Sequence, residues 1–215
     1  EKTMKMYKKV MAAALAGAMT VSMSVTAFAA DDDGYILKAT NEDSKSSDND
    51  LVIAIEGSVS SMDPANIPDT NAISATRGVY ETLVSFDENQ ELTGKLAESW
   101  EVSDDSLTYT FKLRQGVKFQ DGTDFNAAAV KANYDRVVNK DNNLRQRRTF
   151  IVTNEDGSET PRVDSIETPD DYTLVIKLTQ AWAPFINRLT QFCIISPAAL
   201  EEYGNDIMNH PCGTG

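Results

Sequence analysis

From Leu107 to Leu113 apolar and polar residues alternate without a break: Leu107, Tyr109, Phe111 and Leu113 against Thr108, Thr110 and Lys112. A period of two sends every second side chain to one face, so the run reads as a half-buried strand. Turn formers flank it. Ser103-Asp104-Asp105-Ser106 precedes it, and Gln120-Asp121-Gly122 follows the short apolar run Val117–Phe119. Asn126 stands where an N-cap belongs, because its side-chain oxygen reaches the orphan amides of a first helical turn. From Ala127 to Val138 the period changes, with Val130, Tyr134, Val137 and Val138 on one side of a helix. Strand, turn, short strand, turn, capped helix: the pattern is that of an α/β chain.

The same reasoning extends in both directions. Leu51–Ile55 is continuously apolar, the pattern of a strand buried on both faces. Gly57–Thr70 is a loop, after which Thr70 or Asn71 caps a helix reaching about Val84, with Ile73, Val79, Thr82 and Leu83 on its apolar side. Phe86–Asn89 is a turn, and Trp100 belongs to the core. Glu155–Ser158 is a hairpin tip, and Leu174, Ile176 and Leu178 form a strand introduced by Pro169-Asp170-Asp171. Ala183–Gln191 is helical, packed by Trp182. Cys193–Ile195 is a short buried strand. Ser196-Pro197 opens a last helix that ends near Tyr203-Gly204.

Charge and the N-terminus set the compartment. Lys2, Lys5, Lys8 and Lys9 against Glu1 give residues 1–29 a net +3, leaving −16 of the total −13 on the remainder. That acidic balance argues against nucleic acid and anionic membrane surfaces as partners. Lys5, Lys8 and Lys9 precede an apolar run from Val10 to Val25, and Ala27-Phe28-Ala29 follows, so residues 1–29 read as a cleavable signal peptide. No Cys lies near the cleavage point to carry a lipid anchor. Ala30–Asp50 is acidic, with too few apolar residues to bury, and reads as a flexible leader.

The segment Leu96–Arg136, LAESWEVSDDSLTYTFKLRQGVKFQDGTDFNAAAVKANYDR, resembles the signature of extracytoplasmic solute-binding proteins of peptide-type ABC transporters. With the glutathione-binding branch of that family the likeness extends over Val117–Asn133 and again over Ile195–Gly204 and His210–Gly215. The resemblance implies a lobe of the type II periplasmic-binding-protein fold. Residues 51–75 would start lobe I, 76–206 would form an inserted α/β subdomain, and 207–215 would return to lobe I, with the second lobe missing. It implies a monomer that binds a glutathione-like peptide or, as alternatives, a dipeptide, oligopeptide or metal chelate, and delivers it to a membrane ABC permease. Location would be periplasmic or secreted, without cofactor. The loop after the first strand lines the cleft in relatives, which makes Ser60, Ser61, Asp69 and Thr70 candidate ligand contacts and Asp63 the residue that holds the turn before Pro64. Beyond residues 1–29, Asn139–Arg148 is the one concentration of positive charge in an acidic chain. A peptide with two carboxylates needs such donors, so Arg145, Arg147 and Arg148 are candidate ligand residues.

Cys193 and Cys212 are the only cysteines, and an oxidising compartment permits a bridge between them. His210 is the sole histidine, which excludes a histidine triad or a multi-histidine metal site within the chain. A secreted hydrolase is the reading from another class. It needs a nucleophile–base pair or paired carboxylates, and no spacing singles any out.

Overall fold

The structure, a computed structural model, describes residues 57–67 and 69–215. The expected signal peptide, leader and Leu51–Ile55 strand lie outside the described residues. Among those described, the strands are β1 (Val84–Phe86), β2 (Leu92–Gly94), β3 (Ala97–Val102), β4 (Thr108–Leu113), β5 (Ile151–Thr153), β6 (Glu159–Pro161), β7 (Val163–Asp170) and β8 (Thr173–Leu178). The α-helices are α1 (Thr70–Thr76), α2 (Ala127–Val138), α3 (Arg147–Phe150), α4 (Phe185–Arg188) and α5 (Pro197–Tyr203).

The alternation that opens the sequence builds the central sheet. Its antiparallel order is β3-β4-β8-β7. Phe111 lies opposite Trp100 on one side and Leu174 on the other, and Tyr109 lies opposite Val102 and Ile176. Directly opposed residues share a face. Tyr109, Phe111, Leu113, Leu174, Ile176 and Leu178 therefore form one buried face, while Thr110, Lys112, Val175 and Lys177 stand on the other. Tyr109 meets Phe185 of α4 edge-on at 4.9 Å. Phe150 of α3 is held edge-on between Tyr134 of α2 and Phe192, with both centroid distances 5.2 Å.

Helix α2 forms where the sequence places it. Asn126 caps it, accepting from the Ala129 amide at 2.9 Å. Losing that cap in Asn126→Ala is expected to lower stability by about 1 kcal/mol, read as a lower urea midpoint at unchanged slope. A midpoint identical to the parent's would show that the first turn needs no cap. Within α2, buried Asn133 donates to Ala129 O at 3.0 Å and Ile195 O at 2.7 Å, and accepts from Ile195 N at 3.0 Å. Those bonds satisfy the backbone of Ile195 and stitch α2 to the 193–195 stretch, which forms only the single Cys193–Thr82 bridge instead of the expected strand.

Several expectations need correction. The helix after the loop is capped by Asp69 and stops at Thr76 instead of reaching Val84. The Thr76 hydroxyl bonds back to the carbonyls of Ala72 and Ile73 at 2.9 and 3.0 Å, and the Val79 and Tyr80 amides both turn to Thr76 O. Thr82 then bridges Cys193, and Leu83 enters the core. Ile73, expected on a buried face, is consequently 42% exposed. Val117–Phe119 makes a single bridge, Lys118 with Asp124, because left-handed Gly116 and Gly122 curl it into a tight turn. Trp182 packs its ring against the Arg162 guanidinium at 4.0 Å as well as against the core. Strand β7 was not anticipated. It sits at the sheet edge with register shifts at both ends and carries Asp164, Glu167 and Pro169, which break its alternation.

The cysteines are not bridged. Cys193 is fixed in the bridge to Thr82, and burial pushes its thiol up to about 12. Cys212 is held elsewhere: its carbonyl accepts from Ser196 N at 3.0 Å and its thiol meets the Asp121 carboxylate. Among the described residues no helix is long and apolar enough to cross a membrane.

Candidate functional site

Asp63 organises the loop that precedes α1. Its carboxylate accepts from the Ala65 amide at 3.0 Å, capping the tight 3-10 turn Pro64–Asn66. The same carboxylate receives both arms of the Arg136 guanidinium, at 3.2 and 2.6 Å. Asp63 is only 5% exposed. The turn-holding role read from the Asp63-Pro64 step is present. Its arginine partner was missed, since nothing in the α2 pattern marks Arg136 as pointing inward.

The four loop candidates divide. Ser61 Oγ accepts from the Asp63 amide at 3.1 Å. Ser60 donates to Asp69, whose other carboxylate oxygen accepts from Ala72 N at 2.9 Å. These donors, Ser60 first, hold the Asp69 carboxyl below its usual range. Ser60, Ser61 and Asp69 are thus engaged in shaping their own loop. The Thr70 hydroxyl is exposed and has no partner among the described residues.

The basic segment is ordered rather than a plain loop. It runs through a 3-10 turn, Lys140–Asn142, and left-handed Asn143 into α3. Arg147 donates to Val138 O at 2.8 Å and grips both oxygens of Glu159 at 2.6 and 2.8 Å. Its hydrogen bonds hold the Glu159 carboxyl below the usual range. Arg147 is therefore spent on fixing α3 to β6. Arg145 and Arg148 are exposed, with no hydrogen bond or ion pair among the described residues.

Between these arginines Gln146 makes two ties. Its amide donates to Ala65 O at 3.0 Å, and its side chain donates to Gln191 O at 2.6 Å. The first tie, with the Arg136–Asp63 pair, brings the basic segment against the 57–69 loop. The two sets of candidates, over seventy residues apart in the chain, share one region of the surface. An open cleft of about 290 Å³ is lined by Ala132, Arg136, Asn142, Leu200 and Glu201, and its one arginine is committed to Asp63. Among the described residues no group of three or more His, Cys, Asp or Glu is placed to hold a metal ion. What the surface offers is hydrogen-bond donors and fixed positive charge beside a rigid loop.

Residues 91–215 match the family described as bacterial extracellular solute-binding proteins, family 5 (middle region). The chain belongs to that family. Membership places it outside the cytoplasm. Among curated family 5 proteins, the glutathione-binding protein GsiB of Salmonella typhi is 43% identical over 168 residues, covering 77% of this chain and 31% of GsiB. The chain thus spans about a third of the length of the curated relatives it matches. Solved family 5 folds superpose on it. The PBP AgaA from A. tumefaciens R10, in complex with agropinic acid, gives a TM-score of 0.65 at 28% identity, covering 74% of this chain and 30% of AgaA. The periplasmic binding protein DppA from Helicobacter pylori, in complex with the peptide STSA, gives 0.58 at 32% identity over 73% of this chain and 33% of DppA. The mixed α/β architecture is that of part of a family 5 lobe.

Proposed function

We propose that this chain supplies one wall of a solute-binding protein that captures glutathione, or a similarly short peptide with two carboxylates, and delivers it to an ABC permease. The observation that carries this reading is the 43% identity over 168 residues with a protein named for binding glutathione. Arg145 and Arg148 support it, being free cations beside a pre-formed loop in an acidic chain. The 57–70 loop, with Ser60, Ser61, Asp69 and Thr70, lines the ligand side, and Arg147 positions its neighbours. Residues 51–75 begin lobe I, 76–206 form the inserted subdomain and 207–215 return to lobe I. Ligand binding closes two lobes by a hinge motion, and no bond is made or broken, so the protein acts as a receptor rather than an enzyme.

Calorimetric titration of glutathione into the intact protein that carries this chain tests the reading. Saturable binding is expected, with Kd raised about tenfold or more in Arg145→Ala/Arg148→Ala, the size of a lost charge-assisted hydrogen bond. A second reading, a binder of longer peptides, is favoured by the 32% identity with DppA bound to STSA. Heat from a tetrapeptide of uncharged side chains, with none from glutathione, would select it.

A further inference from the structure

From residue 57 onward, the fate of the cations is uneven. Six Lys and Arg side chains pair with carboxylates. Arg162 stacks on Trp182, Lys112 donates to Thr173, and Arg114 donates to Lys95 O. Arg77, Lys140, Arg145, Arg148 and Arg188 alone among the described residues lack side-chain hydrogen bonds, ion pairs and ring contacts alike. In a chain of net charge −13 an exposed guanidinium finds carboxylates easily, so arginines held clear of them are informative.

The fold draws these arginines' segments together. Arg188 ends α4, and the 3-10 turn that follows it, Leu189–Gln191, receives the Gln146 side chain at Gln191 O, 2.6 Å away. Phe192 packs edge-on against Phe150 of α3, the helix that carries Arg148, at 5.2 Å. Arg77 is the C-cap of α1, and the residues that follow it are bonded to the same 191–195 stretch: Ile194 N donates to Glu81 O at 3.0 Å, and Thr82 bridges Cys193. The Arg77 charge also reaches the Cys193 thiol, where it opposes the dominant upward push of burial. Arg77, Arg145, Arg148 and Arg188 are all exposed. Two of the segments are tied to the loop that precedes α1: α1 starts from its Asp69 cap, and Gln146 N, between Arg145 and Arg148, donates to Ala65 O.

We propose that Arg77 and Arg188 extend the Arg145–Arg148 surface into an anion-recognising rim that takes the second carboxylate of a peptide with two carboxylates. The proposal rests on the glutathione reading and adds the residues that set its preference for ligands with two carboxylates. Two carboxylates on a flexible tripeptide are best discriminated by guanidinium groups on separate, rigid elements, since each fork then orients one end.

The test measures Kd of the intact protein carrying this chain for glutathione and for its two monoethyl esters, in the parent and in Arg77→Gln/Arg188→Gln. Both side chains are exposed, so melting temperature should not move. The expected result is a loss of about tenfold or more for glutathione. That loss should disappear for the ester that masks the carboxylate the rim holds. Unchanged Kd for glutathione in the variant overturns the rim and leaves the proposed function standing. Equal losses for glutathione and both esters also overturn it, because a contact to a carboxylate must vanish with that carboxylate. A parent protein that binds none of the three overturns the proposed function and the rim together.

Discussion

Gly213→Ala is expected to destabilise the fold by about 3 kcal/mol, measured by urea unfolding with two spectroscopic probes. A Cβ at this position would stand 2.1 Å from the carbonyl oxygen of Val79 and 2.7 Å from Cδ1 of Tyr80. Neither neighbour can give way. Val79 O accepts from Gly215 N at 3.0 Å, and Tyr80 is a core residue, 3% exposed. The glycine is held from the other side too. Gln120 N donates to Gly213 O at 2.9 Å, Gly213 N donates to Gln120 Oε1 at 3.1 Å, and Gln120 Nε2 reaches Gly215 O at 2.8 Å. Thr214 fastens to Glu81 at 2.9 Å. The CGTG segment is thus threaded between Gly78–Glu81 and the Gln120-Asp121-Gly122 turn with no room for a methyl group. Gly122→Ala provides the contrast. It meets nothing within 4 Å and carries only the cost of a left-handed φ of +85°, about 1–2 kcal/mol. If Gly213→Ala proves no worse than Gly122→Ala, the close approach to Val79 is not rigid.

Signals that depend on period or capping were legible in the sequence. The β4 alternation, the Asn126 cap, the extent of α2, the Glu155–Ser158 tip and the Ser196-Pro197 helix start are all decided within a few residues of chain, and they appear where expected. Edges and exits were harder. The β7 strand carries its apolar residues irregularly because bulges shift its register, and α1 ends early, at Thr76 with Arg77 as its C-cap. Neither event has a local signature strong enough to beat a run of helix-compatible residues. At the candidate site, the basic character of Asn139–Arg148 was visible, but which arginine remains free depends on Glu159, twelve residues past Arg147 and brought near by a hairpin. Arg136 was invisible for the same reason. Its partner, Asp63, is separated from it by the whole central hairpin, and only the fold makes them neighbours.

That separation makes the Asp63–Arg136 pair the larger lever on the site. Asp63→Ala is expected to lower stability by about 3–5 kcal/mol, the usual cost of leaving one charge of a buried pair alone. Arg136, with its side chain 11% exposed, would keep its charge and lose its counter-ion, and the Ala65 amide would lose its cap. Asp63→Asn separates the two losses, because an amide oxygen still caps Ala65 while the charge is gone. It should fall between parent and alanine variant. Adding Arg136→Met to Asp63→Ala should recover much of the loss, since a buried pair replaced by apolar groups is often near neutral. Recovery would identify the orphaned guanidinium as the source of the damage, whereas simple additivity would identify the cap. The ligand readout should move the other way. The double variant regains stability without the tie between α2 and the 57–69 loop, so its affinity for glutathione should stay low even where its unfolding curve has returned. A double variant that recovers both would show that the loop holds its shape through Ser60, Ser61 and Asp69 alone.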